Sequence, residues 1–275
     1  MAPSPGRDAL SDAAIGVFDS GIGGLTVVRE LMKALPGEGI IYLGDTARVP
    51  YGIRSPETVR RYAAQGAAFL LRRGVKLLVV ACNTMSAVAL EAIPAKVPVV
   101  GVILPGARAA AEGSETGRIG VIGTEATVRS GAYEEAIRAL NPQAEVFSLP
   151  CPLFVPLVEE GWLEGEVPRL AAAEYLGRLL GRGMDTLVLG CTHYPLLKPV
   201  IAGVAGEGVR LIDSAQETAR EVKEHLGGGK GPLPGDPPAR EFYVTDGPGK
   251  FRSVGGRFLG ADIDNVTKVQ LEVQE

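Results

Sequence analysis

Two aliphatic runs in this chain end in the same way, and together they restrict the fold more than any other feature. Leu77-Leu78-Val79-Val80-Ala81 opens into Cys82-Asn83-Thr84, and Thr186-Leu187-Val188-Leu189-Gly190 opens into Cys191-Thr192-His193. An unbroken run of branched apolar residues reads as a strand covered on both faces, which is the habit of parallel sheets flanked by helices. In open sheets of that kind the ligand crevice lies outside the carboxyl ends of the strands. Each run therefore puts a thiol where a ligand would sit.

Elsewhere short strands alternate with amphipathic helical stretches. Residues 14–18 read as a strand, 24–35 as a helix stopped by Pro36, and 39–43 as a second strand, followed by a polar loop over 45–54. Ser55-Pro56-Glu57 offers a capping hydroxyl, a proline in the first turn and then an acid, so a helix starts there and runs to about residue 73. Strands follow at 76–81 and 97–102, and the βαβ rhythm predicts a mostly parallel sheet with right-handed crossovers. The pattern then restarts. Arg118-Ile119-Gly120-Val121-Ile122-Gly123-Thr124 echoes Ala14-Ile15-Gly16-Val17-Phe18-Asp19-Ser20, offset by 104 residues from Gly16 to Gly120, and the two cysteine runs are offset by 109 from Cys82 to Cys191. Two matched pairs in the same order point to an internal duplication. Strands at 209–212, 241–244 and 266–271 and helices at 216–226 and 248–259 complete the reading, with a Gly/Pro-rich linker over 227–239.

The expected architecture is α/β: two pseudo-symmetric open-sheet lobes with the active site between them. Residues 1–14 would be a flexible leader, 15–103 plus 208–275 the first lobe, and 104–207 the second. A chain of 275 residues, 46% hydrophobic and 22% charged, can bury a core for both. A net charge of −4 argues against nucleic acid or an acidic membrane as partner. No apolar run is long enough to cross a bilayer, and the first residues lack a secretory-type apolar segment, so a cytoplasmic protein is expected. Three cysteines at irregular spacing suit free thiols in a reducing compartment, and two histidines leave a metal few ligands.

Asp19-Ser20-Gly21-Ile22-Gly23-Gly24 sits at a strand-to-helix turn, where glycines let backbone approach an anion. It is a partial dinucleotide fingerprint: Asp45 stands where a ribose-binding acid would be, but Thr26 replaces the last glycine. An acid followed by serine fits a polar amino-acid substrate better, Asp19 meeting an ammonium or a thiol proton and Ser20 a carboxylate. An ordinary thiol is only about 3% ionised at neutral pH, so each cysteine needs a neighbouring acid or base. His193 beside Cys191 and Asp19 from the matching turn are the candidates. Two thiols facing one carbon from opposite sides could remove a proton from one face and return one to the other, which is racemase chemistry. A zinc site built on Cys191 and His193 and a Cys–His hydrolase are the competing readings.

Taken together, Val17 to Thr26, Gly44-Asp45-Thr46-Ala47-Arg48-Val49-Pro50-Tyr51-Gly52, Ala81 to Thr84, Leu189 to Pro195 and Phe242-Tyr243-Val244-Thr245-Asp246 resemble the bacterial glutamate racemases, of the cofactor-independent aspartate/glutamate racemase group. The resemblance implies that Cys82 and Cys191 are the two acid/base catalysts, assisted by Asp19, His193 and an acid of the Glu159-Glu160 pair, with Glu159 preferred. It implies glutamate binding by Asp19-Ser20, Pro50-Tyr51-Gly52, Asn83-Thr84 and Thr192-His193, and Thr124, the counterpart of Ser20, is a further carboxylate donor. Cys151, between prolines, is expected to be structural. L- and D-glutamate are the implied partners, with a homodimer left open, and D-glutamate supply for peptidoglycan the implied role. No cofactor and no metal are expected. A racemase for another amino acid, a decarboxylase of the same fold and a two-lobed amino-acid-binding protein remain as alternatives.

Overall fold

A computed structural model describes residues 13–228 and 238–272. The leader expected at the N-terminus and most of the Gly/Pro linker thus lie outside the described residues. Ala14, counted above with the leader, accepts the Lys76 N–H at 3.0 Å at the head of the sheet.

The strands are β1 (Ile15–Asp19), β2 (Ile40–Gly44), β3 (Leu77–Val80), β4 (Val99–Gly101), β5 (Arg118–Gly123), β6 (Glu145–Pro150), β7 (Thr186–Gly190), β8 (Arg210–Asp213), β9 (Arg240–Val244) and β10 (Val266–Lys268). They form two sheets, ordered β10-β9-β2-β1-β3-β4 and β6-β5-β7-β8, and every pairing is parallel. The run β2-β1-β3-β4 in one sheet has the same order as β6-β5-β7-β8 in the other. The repeated segments occupy equivalent places: Gly16 and Gly120 on the central strands β1 and β5, Cys82 and Cys191 just past β3 and β7.

The fold corrects the expected division of the chain at one point. Residues 210–213, placed in the first lobe by the sequence reading, pair with β7 from Thr186↔Arg210 to Leu189↔Asp213. The strand was legible but its sheet was not, because a parallel partner is set by the crossover helix before it. The edge strand β6 was not foreseen either. Its exposed and half-buried residues lack the continuous apolar run that marks β1, β3 and β7.

Helices cover both sheets: α1 (Leu25–Ala34), α2 (Pro56–Leu71), α3 (Asn83–Val88), α4 (Ile103–Gly113), α5 (Glu125–Ser130), α6 (Ala132–Leu140), α7 (Phe154–Glu159), α8 (Glu166–Leu180), α9 (Lys198–Ala205), α10 (Ser214–His225) and α11 (Pro248–Leu259). Helix α2 starts as its sequence predicts, the Ser55 hydroxyl accepting the Thr58 N–H at 3.3 Å. Helix α1 buries Leu25, Val27, Val28 and Leu31. These belong to one apolar core with Ala215, Ala219 and Val222 of α10 and with Leu187 and Leu189 of β7, so the two sheets share a core. At roughly 1.5–3 kcal/mol for each buried aliphatic side chain, that shared core couples the lobes strongly. Among the described residues no helix is long and apolar enough to cross a membrane.

Candidate active site

In a sheet ordered 2-1-3-4 the chain leaves β1 to opposite sides, and the crevice opens between the carboxyl ends of strands 1 and 3. Both sheets have this switch point. The first brings Asp19-Ser20, after β1, beside Cys82-Asn83-Thr84, after β3. The second brings Thr124, after β5, beside Cys191-Thr192-His193, after β7. The two crevices face each other across a single cleft of about 520 Å³, counted to its open mouth. It is lined by Ser20, Pro50, Tyr51, Gly52, Cys82, Asn83, Thr84, Thr124, Glu159, Cys191, Thr192 and His193. Gly21, Ile22 and Val49, which belong to motifs quoted above, complete the wall with Val155, which sequence reasoning passed over because nothing marks an apolar lining residue. Asp19 lies just behind the surface, 1% exposed.

Hydrogen bonds stitch the cleft shut at its base. Thr26 Oγ1 donates to the Thr192 carbonyl at 3.0 Å, and the Tyr133 phenol donates to Asn83 Oδ1 at 2.7 Å. Thr84 and Thr124 hydroxyls meet at 3.0 Å across the lobes, and Thr127 lies 3.0 Å from Thr124. The glycines after Asp19 serve this approach. A Cβ on Gly23 would stand 2.2 Å from Thr192 Oγ1 and one on Gly24 2.5 Å from Asp19 Cβ, so the turn is spent on packing side chains from both sheets. Asp45 is likewise occupied, its carboxylate bonded to Arg48, Tyr51 and Thr245, which removes the ribose ligand that a dinucleotide reading needs.

The two thiols sit in unlike surroundings. Burial first, and then the charge of Asp19, push the Cys82 thiol up to about 12, against a partial offset from Ser20 and the Met85 N–H. Asp19 is itself raised by burial, although the Gly21 N–H reaches its Oδ2 at 2.9 Å. Its Oδ1 has no partner among the described residues. Cys191 Sγ is 3.9 Å from His193 Nδ1. On the far side of the ring, His193 Nε2 is 3.4 Å from Glu159 Oε1, within ion-pair range although not aligned as a hydrogen bond. Burial alone would lower the histidine, but its contacts with Cys191 and Glu159 outweigh it and raise it to about 10. Glu159 is held below the usual carboxylate range by His193, and also by Lys250, whose Nζ lies 3.4 Å away. Phe258 closes the ring's other edge at 5.1 Å between centroids.

The neighbouring acids are now distinguished: Glu159 lines the cleft and Glu160 is exposed on an outer apolar groove with Trp162. Cys151 is fully buried behind β6, its carbonyl accepting from Tyr194, and does not line the cleft. Lys250 and Tyr133 were missed by sequence reasoning. Each bonds a cleft-lining partner 91 or 50 residues away, a relation with no local signature. Among the described residues no lysine or arginine lines the cleft, and no three His, Cys, Asp or Glu side chains cluster as a metal would require.

The fold and cleft define a two-lobed α/β protein with a free thiol from each lobe in one shared cleft, and similar proteins are known. The sequence model of the Asp/Glu/hydantoin racemase family matches residues 15–222, and the chain belongs to that family. Within it, a glutamate racemase of Geobacter metallireducens is 57% identical over 265 residues, covering 95% of this chain and 98% of that one. The crystal structure of the Francisella tularensis glutamate racemase in complex with D-glutamate superposes with a TM-score of 0.88 at 42% identity, covering 96% of this chain and all of that one (100%). A Bacillus anthracis glutamate racemase isoform gives a TM-score of 0.90, also at 42% identity and with coverage of 96% and 100%.

Proposed function

We propose that this chain is a glutamate racemase that interconverts L- and D-glutamate by two thiol acid/base catalysts, without a cofactor. The observation that carries the reading is that Cys82 and Cys191, from equivalent ends of two sheets, line the same cleft. Cys191, with His193 as counter-ion, takes the Cα proton of L-glutamate, and the Cys82 S–H delivers a proton to the opposite face. In the reverse direction Cys82 must give up its proton first, and Asp19, whose affinity for protons is raised by burial, is placed to take it. Cys191 and Glu159 together favour the cationic form of His193. Both carboxylates of the substrate are held by hydroxyls, amide and backbone N–H groups: Ser20, Thr84, Thr124, Thr192, the Asn83 Nδ2 that has no partner among the described residues, and the Pro50-Tyr51-Gly52 backbone. Such fixed dipoles in a water-poor cleft stabilise the charge that develops at Cα.

The lobes divide near residue 213, with 14–103 and 240–272 about the first sheet and 104–213 about the second. The enzyme acts in the cytoplasm and supplies D-glutamate for peptidoglycan. The direct test is chiral chromatography of L-glutamate incubated with the purified protein in D₂O, without added cofactor. D-glutamate should form, carrying solvent deuterium at Cα. Absence of enantiomer, or product that retains its Cα hydrogen, would refute the reading.

A further inference from the structure

One buried carboxylate at the edge of the cleft has no part in the chemistry above. Asp45 follows β2, is wholly buried, and its N–H donates to the Asp19 carbonyl at 3.0 Å. Its Oδ2 accepts from Arg48 Nε at 2.6 Å and from the Tyr51 phenol, and its Oδ1 accepts from Thr245 Oγ1 at 2.9 Å. Arg48 is fixed in turn, lying 4.0 Å over the Tyr62 ring. Thr245 comes from the end of β9, 200 residues along the chain, and its Oγ1 also accepts the Ala47 N–H at 2.8 Å.

These bonds converge on a short piece of chain that walls the cleft. Tyr51 and Gly52 line it, and Gly52 approaches the opposite lobe so closely that a Cβ there would lie 3.0 Å from Thr124 Cβ. The Tyr51 phenol is spent on Asp45, which does not line the cleft. Burial foremost, and then the Asp45 charge, hold that phenol far above the usual tyrosine range, so it stays a donor. Only a carboxylate could take three donors here, and bonds to a charged acceptor are about twice as strong as neutral ones.

We propose that Asp45 is the positioning residue of the substrate-binding lip: through the Tyr51 phenol, with Arg48 and Thr245 closing the network, it fixes the Tyr51–Gly52 backbone against the glutamate site. The proposal rests on the racemase reading above. It also ties the end of β9 to the lip, because Thr245 reaches Asp45 from there.

The experiment compares wild type with Tyr51→Phe, Thr245→Val, Thr245→Ser and Asp45→Asn, measuring KM and kcat in both directions across pH 6 to 9 (roughly the range over which thiol enzymes are assayed). Tyr51→Phe and Thr245→Val each remove one hydroxyl and should raise KM for both enantiomers about tenfold, near the low end for a lost bond to a charged group. The fall in kcat should be smaller and equal in the two directions, with the pH limbs unmoved. Thr245→Ser should restore KM, and the Tyr51→Phe/Thr245→Val double variant should lose less than the product of the singles. Asp45→Asn should match Tyr51→Phe; if it does not fold, the two hydroxyl deletions decide alone. A folded Tyr51→Phe with wild-type KM, or unequal loss in the two directions with a shifted pH limb, would overturn the proposal while an active wild type leaves the racemase reading intact. A wild type inactive on glutamate would overturn both.

Discussion

Replacing Gly23 by alanine tests whether the close approach of the two lobes sets the geometry of the second thiol. A Cβ at this position would lie 2.2 Å from Thr192 Oγ1 and 2.6 Å from His193 Nδ1. An ordinary contact begins at 3.4 Å, so the Thr192–His193 loop must retreat by about 1 Å. Overpacking of this kind costs about 1–3 kcal/mol, which lowers Tm by several degrees in a chain of this size. The larger effect falls on rate. His193 stands 3.9 Å from Cys191 Sγ, and a displacement of about 1 Å in a catalytic constellation can cost roughly 10²-fold. Racemisation followed by chiral chromatography, with thermal unfolding followed by circular dichroism, should show kcat down by about that factor in both directions. Gly177→Ala is the control: this exposed glycine of α8 has no heavy atom within 4 Å of its would-be Cβ. It should leave kcat unchanged and add up to about 1 kcal/mol of stability. Wild-type kcat in Gly23→Ala would refute the reasoning.

Cys82→Ala and Cys191→Ala should each lower racemisation by about 10²–10⁴ in both directions, while residual Cα exchange in D₂O becomes one-sided, from L-glutamate in the first and D-glutamate in the second; near-wild-type racemisation by either would end the two-thiol scheme. Glu159→Gln removes one of the two groups that raise His193 to about 10, so the alkaline limb of the rate profile should move to lower pH. The sign for stability is the same. A raised histidine stabilises fully below about 6.5 and loses that contribution as pH rises through its folded value, so unfolding curves of Glu159→Gln should converge on wild type above pH 10 and fall short of it below; an unmoved limb would show that Glu159 does not act on His193. Cys151→Ala should keep kcat within about twofold and lose about 1 kcal/mol of stability, since the residue is core and not lining; a loss comparable with that of Cys82→Ala, read in the same assay, would place it in the chemistry.

Much of this molecule is legible without coordinates. Continuous aliphatic runs mark β1, β3 and β7 because both faces of a parallel strand are buried, and Ser55-Pro56-Glu57 marks the start of α2 because a helix start has its own local chemistry. The two echoes fixed the equivalence of β1 with β5 and of β3 with β7, and hence put both cysteines at strand ends. Those signals are local, with periods of two to four residues or a repeat of whole units. The sequence could therefore say that two thiols and their polar neighbours belong to one site.

Which group lies beside which thiol was decided only by tertiary packing. Glu159 and Glu160 are equivalent in sequence, and it is the rotation of α7 that turns one to His193 and the other to solvent. Residues 210–213 read as a strand wherever they pair, and the crossover through α9 carries them to β7. Asp45 stands after β2 where a ribose-binding acid would be, and only packing shows Thr245, 200 residues on, with Arg48 and Tyr51 of its own loop, closed around it. The physical reason is common to all three. Pattern and propensity act over one turn of chain, whereas the field at a buried side chain is set by groups within about 4–6 Å in space, whatever their distance in sequence.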